Sequence, residues 1–134
     1  MPSEPISPAT RDLLRNLRNL LLDQHKLLLD RERANYEAVH GPVGSPGQYL
    51  NLVLGHPHFA WLKNLSTLVV EIDEALFRKS TAGESEAQAL LAQFRAVLLS
   101  GGAGTAFQAC YQSAVSGSAE VAAMHRRIAE LPGL

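Results

Sequence analysis

Over residues 8–39 leucine recurs at the spacing of an α-helix. Leu14, Leu17, Leu21, Leu28, Tyr36 and Val39 fall on one stripe, and Leu13, Leu20 and Leu27 widen it. Steps of three, four and seven residues return to the same side of a helix, so this stripe needs a second apolar surface to cover it. A helix this long commits the chain to helix-on-helix packing. Its ends are marked. Ser7 before Pro8 supplies an N-cap and a first-turn proline, and Gly41-Pro42 supplies a stop.

The rest of the chain follows the same plan. Residues 41–47 hold three glycines and two prolines and read as a loop. Residues 48–54 predict a short apolar helix. Gly55-His56-Pro57 breaks the chain and starts a long helix whose stripe is Phe59, Leu62, Leu65, Val69, Ile72 and Leu76. A loop is expected over residues 80–83, and a helix over 84–99 with Leu90, Leu91, Phe94, Val97 and Leu98 inward. After a glycine-rich turn at 100–104, helices are expected over 105–115 and 119–131. Ser118 caps the second, and Pro132-Gly133 ends it. No repeat and no strand-like alternation interrupts this pattern. The expected fold is all-α: an antiparallel bundle of four main helices, with a short extra helix between the first and second long ones. Residues 1–7 are expected as a loose, flexible tail and 8–134 as a single domain. The 134 residues suffice for one core.

Composition narrows the function. A net charge of -1 and 6% aromatics argue against a nucleic-acid surface. Arg11, Arg15 and Arg18 share one helix face, interleaved with Asp12 and Asp23. That face is either solvated or turned to an acidic partner. The one cysteine, Cys110, allows no internal disulfide and is expected as a small core residue in a reducing compartment. The N-terminus lacks the basic start and apolar run of a signal peptide. No stretch approaches the ~18 apolar residues of a membrane span, so the cytoplasm is the expected location.

Two polar groupings interrupt the apolar faces. His25 and Glu32 lie seven apart on the first helix, as do Ser66 and Asp73 on the helix after Pro57. If those helices pack antiparallel with Val39 beside Phe59, Glu32 falls near Ser66 and His25 near Asp73. Such contacts satisfy polar groups beside a core, because an unpaired buried polar group costs about 1–3 kcal/mol. Alternatively His25 acts as a base held by Asp73. Ser66, His25 and Asp73 have the residue types of a hydrolase triad, but a triad is defined by geometry and an oxyanion hole, so no catalytic residue is assigned. The second grouping is Glu37, His40, His56 and His58, at one end of the bundle. Imidazole and carboxylate are transition-metal ligands, yet Glu-x-x-His occurs once, at a helix end, where di-iron bundles use it twice. No metal and no cofactor is assigned. Gly101-Gly102-Ala103-Gly104-Thr105 could cradle an anion, but it lacks the lysine of a phosphate loop. Trp61 and Tyr49 either cap the core or line a groove for a partner.

The first half of the chain carries a wider pattern. It comprises His25-Lys26, Leu29-Asp30, Glu32-Arg33, Tyr36-Glu37, Gly41-Pro42-Val43, Pro57-x-Phe59-Ala60-Trp61-Leu62, Leu65-Ser66-x-Leu68 and Ile72-Asp73-Glu74-Ala75-Leu76. This pattern resembles an uncharacterised family of small bacterial all-helical proteins. The resemblance implies a helical scaffold and brings no activity. It also implies that positions 56 and 58 are not fixed as histidine, which weighs against the metal reading. The expected function is a non-catalytic protein-interaction or scaffold module with a protein partner, or a homodimer through its broad apolar faces. The competing class is a small metal- or ligand-binding bundle, enzymatic through His25 and Asp73.

Overall fold

Ser7 Oγ accepts from Thr10 N at 3.2 Å, and Pro8 fills the first turn, so the first helix starts where its local chemistry directs. The computed structural model describes residues 4–77, 80–99 and 105–134, and its regular elements are helical. Helix α1 spans Pro8–His40. It stops at Gly41, whose φ of +84° suits glycine and whose N–H reaches Glu37 O at 2.8 Å. Helix α2 (Pro46–Gly55) begins at Ser45, which caps Gln48 N. No helix among the described residues is long and apolar enough to cross a membrane.

The expected single helix from Pro57 to Leu76 is broken. It forms α3 (Pro57–Ala60), a turn at Trp61-Leu62, and α4 (Lys63–Leu76). Phe59, Leu62 and Leu65 are all buried, and they stand three apart. Three-residue steps drift off an α-helical stripe. Here the backbone tightens instead, with Leu62 N to Phe59 O and Leu65 N to Leu62 O both at 3.1 Å. Bonds of this i to i+3 type eclipse residues three apart, which points all three side chains into the core.

Helix α5 (Glu84–Phe94) runs into a π-helical turn at Arg95–Leu99. The Gln108 side-chain amide donates to the Val97 carbonyl in that turn. Helices α6 (Thr105–Gly117) and α7 (Ala119–Ala129) separate at Ser118, which caps Val121 N as its sequence context predicts. Helix α1 lies against α4, α5 and α7, while α6 packs on α7. Arg18 meets Asp73 and Arg11 meets Leu76 O, so α4 runs back along α1. Gln24 meets Val121 O, and Gly133 lies beside Leu13, so α7 does too.

Residues 4–7 differ from the expected loose tail; residues 1–3 lie outside the described residues. Pro5 bridges Gly83, Ile6 is buried in the core, and Glu84 N donates to Glu4 O at 2.7 Å. The Glu84 carboxylate then accepts from Ser7 N, Thr10 Oγ1 and Gln88 Nε2, each at 2.8 Å. One apolar anchor and one carboxylate thus fix the segment to the start of α5.

A polar network lies at the centre. Gln24 is fully buried, and its Nε2 donates to Tyr111 OH at 3.0 Å and to Val121 O at 3.1 Å. Since Tyr111 OH accepts from Gln24, its own proton points to His125 Nδ1, 2.8 Å away. Burial pushes the Tyr111 phenol up to about 12, partly offset by the Gln24 bond. Burial also holds the His125 and His25 imidazoles below 6.5.

Two pH limbs follow from these groups. The bonds from Gln88, Ser7 and Thr10 hold Glu84 at about 2, below its ordinary 4.5. Its stabilisation is full above 4.5 and is lost as pH falls between 4.5 and 2. Glu84→Gln should flatten thermal melts across that window; an unchanged acid limb would show that the clasp contributes nothing. For the histidines, the unfolded chain takes up the proton first as pH drops below 6.5. Urea midpoints should therefore fall on acidification from pH ~7.5 to ~5.5. They should fall less in the His25→Asn, His125→Asn double variant.

Candidate functional site

Asp73 is the residue on which the enzymatic expectation turns. Its Oδ1 accepts from Arg18 Nη1 at 2.8 Å, with 34% and 47% of the Arg18 and Asp73 side chains exposed. His25, the expected partner, lies seven residues further along α1. Helix α4 is therefore displaced by about two turns from the expected register. About one turn arises where Tyr36, rather than Val39, meets Phe59, with ring centroids 6.0 Å apart. About one more accumulates along the segment that includes the tightened turn at Trp61-Leu62. Arg11 Nη1 then reaches Leu76 O at 3.2 Å, at the end of α4 where unpaired carbonyls favour a cation. Ser66 Oγ donates to Lys63 O of its own helix. His25, Ser66 and Asp73 thus have separate surroundings, and no triad forms.

The other expected groups also resolve. Arg11 and Arg18 engage α4, and Arg15 pairs with Asp12 at 3.2 Å, so the arginine face is held by its own chain. Glu37 accepts from Arg33 Nε and Val43 N, both at 3.1 Å, and so secures the loop after α1. The rings of His40 and His56 flank Tyr36 at 4.4 and 5.3 Å. Among the described residues no group of three or more His, Cys, Asp or Glu side chains is placed to hold a metal ion. The His58 side chain and the glycine turn at 101–104 lie outside the described residues. Tyr49 packs edge-on to Phe59 beneath the Arg33 guanidinium, 4.6 Å from its ring centre.

What the structure does assemble is a groove of about 800 Å³. One wall is α1, with Arg31, Glu32 and Asn35. The α3–α4 turn contributes Trp61 and the start of α4 contributes Asn64, and α6 forms the other wall with Ala106, Phe107, Ala109, Cys110 and Ser113. Trp61 reaches the groove because the tight turn gives the buried positions to Phe59, Leu62 and Leu65. Its ring lies 5.7 Å from Phe107, which stacks on Tyr111 at 5.6 Å. A ladder of rings therefore links the groove to the buried network of Gln24 and His125.

Cys110 is exposed on the groove wall, contrary to its expected place in the core. The buried stripe of α6 is Phe107, Tyr111 and Ala114, and Cys110 falls beside it. Desolvation and the nearby Glu32 charge push its thiol up, away from nucleophilic use. The sequence reading missed Arg31, Asn35, Asn64 and Ser113 as groove residues. Their signal is spatial, since it takes three separate elements to build the groove. The sequence reading also missed Gln24, although its position within the Leu17, Leu21, Leu28 stripe marks it as a buried polar residue; its partners are too distant in sequence to read. No family model matches this chain, and no curated protein or solved structure does either.

Because the Arg18–Asp73 pair is partly exposed, Asp73→Ala should cost only about 0.2–1 kcal/mol. The His25 titration, followed by NMR, should stay in place. A loss of about 3 kcal/mol or more, or a moved His25 titration, would instead indicate a buried Asp73–His25 pair.

Proposed function

We propose that this chain is a non-catalytic protein-interaction module. In this reading its helices form an antiparallel bundle of four main helices, and a partner protein docks in the groove between α1, the α3–α4 turn and α6. The observation that carries it is Trp61: half-buried against Phe107, it leaves part of its ring to the groove. A tryptophan in a concave, partly apolar site is a typical interface anchor, because it offers a large contact area with few rotors to freeze. The small side chains of Ala106 and Ala109 on the opposite wall leave room for a partner side chain. The single reduced thiol suits the cytoplasm. The enzymatic alternative required His25 to be held by Asp73, and Asp73 is taken by Arg18.

Photocrosslinking tests the docking site. A photoreactive amino acid at Ser113, on the groove wall, should capture a discrete partner, whereas the same group at Gln93 on α5 should not. The partner, once identified and purified, should bind the wild-type protein and bind Trp61→Ala at least about tenfold more weakly. Equal binding by the Trp61 variant, or capture from Gln93 alone, would remove the groove from the interaction.

A further inference from the structure

We infer that the segment docking in this groove carries a carboxylate beside its apolar anchor, and that Arg31 is the residue that reads it. The inference rests on the groove being the interaction site, and it specifies the chemistry of the partner.

The argument begins at Gly117, the last residue of α6. A Cβ built there would lie 2.8 Å from Arg31 Nη2 and 3.1 Å from Nη1. The guanidinium therefore rests on the glycine backbone, at the C-terminal end of α6. Unpaired carbonyls give that end a partial negative charge, which attracts a cation without neutralising it. Arg11, Arg15, Arg18 and Arg33 each donate to an acceptor on their own chain. Arg31 makes no ion pair and no side-chain hydrogen bond among the described residues. The neighbouring acid does not complete it: Glu32 acts on Cys110 and is engaged within the chain. The groove thus presents one cation that rests against Gly117 and uses none of its guanidinium donors among the described residues.

Two features make an acid the matching group. A guanidinium binds a carboxylate through two parallel N–H···O bonds, and its planar fork loses less entropy per hydrogen bond formed than a flexible ammonium does. The side chains of Asn35, Asn64 and Ser113 add hydrogen-bonding groups at the groove that make no side-chain bond within the described residues. An apolar side chain enters between Trp61 and the alanines of α6, and an Asp or Glu next to it meets Arg31. Gly117 is a positioning residue here. Its φ lies outside the left-handed range, so alanine is allowed at this position, and the added methyl displaces only the flexible tip of Arg31.

A random peptide library displayed against the full chain tests this. Wild-type protein, Arg31→Gln, Gly117→Ala and Trp61→Ala are panned in parallel, after melts establish that each is folded. Peptides selected on the wild type should be enriched several-fold in Asp or Glu beside an apolar residue. On Arg31→Gln the apolar preference should remain and the acidic one disappear. Gly117→Ala should weaken the acidic preference with the charge still present. A synthesised wild-type hit with its acid changed to the amide should lose about tenfold in affinity for the wild type and nothing for Arg31→Gln. Groove peptides without acid enrichment, or with the same enrichment on Arg31→Gln, would overturn the inference and leave the groove reading intact. Peptides that bind Trp61→Ala as well as the wild type, or no selected peptides at all, would overturn both.

Discussion

Leu14, Leu17, Leu21, Gln24 and Leu28 of α1 are completely withdrawn from water, and α4, α5 and α7 all pack against this helix. Each leucine contributes about 1.5–3 kcal/mol by leaving water, so the stripe drives collapse. Leucine against leucine tolerates more than one register, however. Gln24 removes that freedom, because its amide must find Tyr111 OH and Val121 O together. Gln24 Oε1 is already buried without a partner among the described residues, so a register that also missed the two Nε2 acceptors would leave the whole amide unpaired. The leucines make the packing favourable, and one glutamine selects which packing forms.

The groove is a by-product of that selection. Tyr111 is tied to Gln24 and His125, which keeps α6 close to α7. The exposed face of α6, with Ala106, Ala109, Cys110 and Ser113, consequently looks across open space toward the last third of α1. Trp61 closes the floor of that space. Its ring lies against Phe107, so the surface that would meet a partner on the proposed reading stands on the Phe107–Tyr111 stack of the core. The groove therefore has an aromatic floor and a wall of polar side chains, the combination that the proposed docking would use.

The parts of this fold that were legible in the sequence are those fixed by neighbours in the chain. Ser7 and Ser118 cap helices, Gly41 ends one, and the stripe of α1 faces inward, all through contacts within a turn or two. What was not legible depends on distant partners. Glu84 clasps Ser7 across 77 residues, Gln24 meets Tyr111 across 87, and Arg18 meets Asp73 across 55. The misplaced register of His25 and Asp73 came from counting residues back from the loops as if the helix after Pro57 were uniform. About one turn of the error lay in the starting contact, Tyr36 in place of Val39 against Phe59, and about one more accumulated along the segment that holds the tightened turn. The groove was hidden for the same reason, since Arg31, Trp61 and Cys110 have no relation in sequence.

The tightened turn has a further consequence for how this chain can vary. Phe59, Leu62 and Leu65 reach the core only because they are three residues apart. Inserting or deleting one residue between them would swing α3, and α2 with it, about a quarter-turn or more around the helix axis. The core thus constrains the length of this segment and places a weaker demand on the side chain at position 61. On the proposed reading the groove constrains the reverse: what stands at 61 would matter to a partner, and the spacing only insofar as it brings that residue there. Across descendants of this sequence, the distance from Phe59 to Leu65 would be inherited with the fold, while the residue at 61 could drift with the partner.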